Sequence, residues 1–149
     1  MKLEEEIQQT KFRNENHKLA VNIVFSNNWL MSLQSEIFDG FGITANQFNI
    51  LRILRGQFPK PATINLLKER MMDKMCDASR LVERLRIKGL IKRELSLDDR
   101  RRVDVIITEK GLNILSEIDK LNSKYDSIFQ NLSSEETKLL NELLDKMRG

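Results

Sequence analysis

Residues 73–108 read DKMCDASRLVERLRIKGLIKRELSLDDRRRVDVIIT, and the order of patterns inside this stretch decides the fold. It opens on a helical period. Ala78, Leu81, Val82 and Leu85 fall at i, i+3, i+4 and i+7, an inward-facing stripe. Asp73 is the expected N-cap, because its carboxylate suits both the free amides and the positive end of the helix dipole. Gly89 is expected to stop the helix in the left-handed conformation. From Leu90 the period changes to two: Ile91, Arg93 and Leu95 alternate with Lys92, Glu94 and Ser96, and Val103, Val105 and Ile107 with Asp104 and Ile106. Two strands around Leu97-Asp98-Asp99-Arg100-Arg101 make a hairpin with a basic tip. Between Arg80 and Arg102 nine Lys/Arg face four acids, a local charge of +5 in a chain whose total is +3. The positive charge is therefore concentrated in this stretch, which is the electrostatic footprint of a nucleic-acid binder.

Working outward, Thr63 is placed to cap a short helix carrying Ile64, Leu66 and Leu67 inward, with Arg70-Met71-Met72 as the following turn. Thr44-Ala45-Asn46-Gln47 is a capping box opening a helix with Phe48, Leu51 and Leu54 on one face, ended by Gly56 and the run to Pro61. A short helix pair feeding a longer helix and a hairpin is a winged helix-turn-helix. Residues 1–39 contain neither Gly nor Pro and predict one long helix, broken near Asp39-Gly40-Phe41-Gly42. Downstream, Thr108 caps a fifth helix whose stripe runs unbroken from Leu112 through Leu115, Ile118, Leu121, Tyr125 and Ile128 to Phe129. Ser133-Ser134-Glu135-Glu136 is a second capping box and opens a last helix bearing Leu139, Leu140, Leu143, Leu144 and Met147. The expected class is mainly α with a small β-hairpin (α+β): a winged lobe at 40–108 and a helical region made of 1–39 and 109–149.

Composition narrows the function. With 40% hydrophobic and 32% charged residues the chain is ordinary globular protein, and six Gly and two Pro favour long helices. The first ten residues hold no signal-peptide core and no apolar run reaches membrane-span length, so a cytoplasmic location without membrane partners is expected. One Cys excludes an internal disulfide, and one His beside it leaves no ligand set for a metal; no cofactor is expected. There is no nucleophile–base pair and no Gly-rich phosphate loop, so an enzyme is not expected.

Ser79-Arg80-Leu81-Val82-Glu83-Arg84-Leu85, Lys88-Gly89-Leu90-Ile91-Lys92-Arg93, Asp99-Arg100-Arg101, and Val105-Ile106-Ile107-Thr108 with Gly111 resemble the recognition helix, wing and fifth-helix start of the MarR family of bacterial transcription regulators. The likeness includes the family's Asp-x-Arg wing and its V-x-L-T-x-x-G close, in which Ile107 replaces the usual Leu. The resemblance implies a homodimer joined through 1–39 and 109–149, with two winged lobes facing one DNA duplex at a pseudo-palindromic operator. It further implies a repressor, released by a small aromatic or amphipathic effector held between the dimer and DNA regions. His17, Trp29, Phe38 and Phe48 either line that cavity or pack in the core and dimer interface.

An α-helix fits the major groove, where base edges are read by hydrogen bonds. The exposed side of the helix starting at Asp73 offers Lys74, Asp77, Ser79, Arg80 and Arg84. Arg80 and Arg84, four apart, are expected to reach bases or nearby phosphates, and Ser79 either. Asp77 either accepts from a cytosine amine or orients Arg80. At the wing, Arg101 is the expected minor-groove probe, Asp99 its charge-assisted support, and Arg100 and Arg102 phosphate contacts. Thr63 and Asn65 either hold a phosphate at a helix N-terminus or serve as plain caps. Cys76, expected in the first turn of the reading helix where the dipole lowers a thiol pKa, offers a redox alternative. A third reading is a winged-helix dimer that binds a protein partner and has lost DNA binding.

Overall fold

The structure, a computed structural model described for residues 1–95 and 103–149, is 65% helical with three short strands, the expected mainly-α class. The chain divides into two compact units, Met1–Leu112 and Asn113–Gly149.

In the first unit, α1 (Leu3–Glu6) is a single turn and α2 (Glu15–Asp39) a long helix. The single helix expected over 1–39 is therefore broken. Gln8 adopts a left-handed φ of 52°, and Asn14 restarts the chain as an N-cap, accepting from the His17 amide at 2.8 Å. Helix α3 (Ala45–Gln57) begins at the expected Thr44–Gln47 capping box and runs through Gly56. It forms the centre of the lobe, burying Ile50, Leu51, Ile53 and Leu54 and packing against α4 (Ile64–Arg70), α5 (Ala78–Ile87) and the sheet. Thr63 caps α4 as expected, accepting from the Leu66 amide.

The hairpin strands are β2 (Ile91–Leu95) and β3 (Val103–Ile107), paired antiparallel with Ile91 opposite Ile107 and Leu95 opposite Val103. A third strand, β1 (Ala62–Thr63), was not foreseen; it pairs with β3 through Ala62 and Val105, giving the order β1-β3-β2. Ala62, Ile91, Val105 and Ile107 are buried together with Leu67, Met71, Val82, Leu85 and Leu90. The expected alternation appears in β3, where Val105 and Ile107 are buried between less buried neighbours, but not in β2, where only Ile91 is buried and Lys92 to Leu95 are all exposed.

Helix α6 (Glu109–Asp119) follows Thr108, whose hydroxyl accepts from the Gly111 amide at 3.2 Å. In the second unit the expected continuous fifth helix stops instead. The Leu121 amide turns back to the Ile118 carbonyl at 2.9 Å, a tight 3₁₀-type closure, and the chain resumes as α7 (Asn122–Asp126) and a 3₁₀ turn at Ser127–Phe129. Helix α8 (Ser134–Arg148) opens at the expected Ser133–Glu136 capping box. Among the described residues no helix is long and apolar enough to cross a membrane.

Candidate nucleic-acid interface

The helix expected to open at Asp73 is α5 (Ala78–Ile87), and it starts four residues later. Asp77, not Asp73, is its N-cap, with Oδ1 accepting from the Arg80 amide at 3.0 Å. Asp73 is occupied elsewhere: Oδ2 accepts from Asn46 Nδ2 and Oδ1 from the Met75 amide, both at 3.0 Å. An Asp bonded to the amide two residues on closes a local turn in competition with helix, so residues 73–77 form an ordered loop. Lys74 thus lies on that loop and not on the helix, its Nζ donating to the Glu69 carbonyl at 2.6 Å. Cys76 also precedes the helix. Burial, then the Asp73 carboxylate, push its thiol pKa up, the reverse of the activation expected for a redox switch.

Three fully buried side chains, Ala78, Val82 and Leu85, fix the inner face of α5. Its C-terminus is closed by a complete Schellman motif. Gly89, at φ 71°, donates to the Arg86 carbonyl at 2.9 Å, and Leu90 donates to Leu85 at 3.0 Å. Lys88 then ties this end to the start of α3, its Nζ donating to the Gly42 carbonyl and to Gln47 Oε1. The same Gly89–Leu90 segment carries the hairpin. Thr108 N donates to the Leu90 carbonyl at 3.0 Å and Thr108 Oγ1 to the Gly89 carbonyl at 2.8 Å. Gly111 is required at this junction because a Cβ there would lie 2.4 Å from the Leu90 oxygen.

The cations of the helix sort into two groups. Glu83 holds Arg86 at 2.8 Å and Arg93 of β2 at 3.2 Å, and the Arg86 hydrogen bond foremost draws its pKa below the usual carboxylate range. Lys88 is spent on α3. Arg80 and Arg84 are exposed, one turn apart, and have no ion-pair partner among the described residues. Ser79 is exposed beside them, and Asn65 is exposed on α4. Asp99, Arg100, Arg101 and Arg102 lie outside the described residues.

Of the four cavity candidates, Phe38 lines a cleft of about 410 Å³ at the α2–α3 corner with Met31, Ser32, Ser35 and Asn46. Its ring is buried and stacked on Phe48, centroids 4.6 Å apart. His17 serves the α2 start, its Nδ1 accepting from the Arg13 amide. The polar residues of the cleft escaped notice because serines on a helix carry no periodic signal.

No protein-family model matches the chain. It is 30% identical to the HTH-type transcriptional regulator MgrA of Staphylococcus aureus over 140 residues, 94% of this chain and 88% of that protein. A cysteine-to-serine mutant of E. coli MarR complexed with operator DNA superposes with a TM-score of 0.80 at 26% identity, over 93% of this chain and 99% of that one. An organohalide-sensing transcriptional regulator in a 2,4-dichlorophenol-bound form gives a TM-score of 0.83 at 21% identity, covering 94% and 85%, a likeness of fold.

Proposed function

The chain belongs to the MarR family of winged helix-turn-helix transcription regulators, and from that premise we propose that it is a homodimeric repressor that reads a pseudo-palindromic operator and releases it on binding a small effector. It is a DNA-binding regulator and not an enzyme. The observation that carries the reading is the sorting of cations on and just after α5. Arg86, Arg93 and Lys88 are consumed in building the lobe, which leaves Arg80 and Arg84 projecting with Ser79 toward the major groove. Asp77 serves the interface indirectly, by fixing the backbone that carries Arg80. Thr63 caps α4, and Asn65 beside it meets a phosphate, as does Lys74 on the preceding loop. Arg101, supported by Asp99, enters the minor groove, and Arg100 and Arg102 meet phosphates.

Dimerisation through 1–39 and 109–149 is supported by the exposed apolar face of α8. Leu139, Leu140, Leu143 and Met147 are each about half exposed, a contiguous apolar stripe that a second copy would cover. The effector is small and aromatic or amphipathic, matched to the cleft beside Phe38. A gel shift on the DNA upstream of the protein's own gene, with excess competitor, tests the reading: a retained specific band is expected. Arg101→Ala should weaken that band while leaving the dimer folded. No specific band on any fragment from a random pool would refute it.

A further inference from the structure

Met75 is 94% exposed and Met72 73% exposed, on a loop that is otherwise tightly held. Met71 between the loop and α4 is buried, the Met72 amide donates to buried Asn49 Oδ1 at 3.0 Å, and the Met75 amide donates to Asp73. Both acids near Met75 are engaged: Asp73 with Asn46 and Met75, Asp77 with the Arg80 amide. The loop therefore presents a rigid backbone and bare thioether side chains beside the start of α5, a helix whose free cations, Arg80 in its first turn and Arg84 in its last, are complementary to phosphates. Met75 precedes the N-cap by two residues, so it sits at the end of α5 that a reading helix advances into the major groove. The apolar group that B-DNA displays in that groove is the thymine 5-methyl.

We propose that Met75 reads a thymine by packing against its 5-methyl group, adding an apolar specificity contact to the polar ones of Arg80 and Arg84. This rests on the DNA-reading function argued above. The thioether is flexible and polarizable, so it can follow the methyl without a fixed hydrogen-bond geometry.

The test uses duplexes selected from a random pool by the full-length protein, with each thymine replaced in turn by deoxyuridine, which lacks only the methyl. One replacement per half-site should weaken binding about fourfold, the value of one buried methyl group. Met75→Ala should bind the thymine and deoxyuridine duplexes equally. A Met72→Ala, Met75→Ala double variant guards against the neighbouring methionine taking over. Affinity for a random-sequence duplex at low salt should match wild type in both variants, which reports intact folding and phosphate binding. Wild type indifferent to every replacement, a selected site without thymine, or a double variant keeping the wild-type sensitivity each overturns the inference while leaving the DNA-reading function standing. Failure to select any duplex overturns both.

Discussion

Gly111→Ala is the sharpest test of how the hairpin is joined to the reading helix. An alanine Cβ would lie 2.4 Å from the Leu90 carbonyl oxygen and 2.7 Å from Ile107 Cγ1. The isoleucine can rotate away. The carbonyl cannot move freely, because it accepts the Thr108 amide at 3.0 Å, and its neighbour Gly89 is held by the Thr108 hydroxyl at 2.8 Å. Overpacking of this kind costs roughly 1–3 kcal/mol, and the helix propensity gained on replacing Gly by Ala offsets about 1 kcal/mol at most. A net loss of up to about 2 kcal/mol is expected, a fall in Tm of up to roughly 8 °C at about 2–4 °C per kcal/mol. Gly56→Ala is the matched control. It sits in α3 with nothing within 4 Å of its added Cβ and should stabilise by about 0.5–1 kcal/mol. Thermal and urea unfolding of both variants, followed by circular dichroism, decide the matter. Gly111→Ala as stable as Gly56→Ala would refute the junction as described.

Arg80→Ala should cost about 1–3 kcal/mol of specific binding if it reads a base, or lower the salt slope by about 0.9 per subunit if it meets a phosphate; anisotropy titrations over a salt series that show neither would remove it from the interface. Asp77→Ala should cost about 1 kcal/mol in urea unfolding, with most of the loss restored by Asp77→Ser, because both Asp and Ser accept from the first-turn amides; equal losses in the two variants would contradict the cap. A raised thiol pKa means less thiolate at neutral pH, so alkylation of Cys76 by iodoacetamide should be slow at pH 7 and still climbing above about pH 8.5, the ordinary thiol value. A rate that levels off near pH 7 would revive the redox reading.

Much of the fold was legible because its helix ends are chemically marked. Thr44 with Gln47, Thr63, Ser133 with Glu136 and Gly89 each satisfy orphan backbone groups in a way that residue type alone announces. The start of α5 was misread because Asp73 and Asp77 are equally good caps in isolation. The choice was made by Asn46, far away in sequence, which draws off the Asp73 carboxylate. Strand β1 is two residues long and exists only through its pairing with β3, so no local pattern encodes it. The breaks at Gln8 and Leu121 carry neither Gly nor Pro. Helical spacing singled out Arg80 and Arg84 but gave no physical reason for their separation from Arg86, Arg93 and Lys88. That separation required the positions of Glu83, Gln47 and Gly42.

A regulator must find its site among an immense excess of wrong DNA, and every unclaimed cation raises affinity for all of it alike. By holding Arg86 and Arg93 together, one carboxylate keeps two guanidiniums out of that indiscriminate attraction. Glu83→Gln would release both, steepening the salt slope by up to about 1.8 per subunit and tightening binding to any duplex. The variant would hold operator and random DNA harder alike, so affinity would rise with no gain in discrimination.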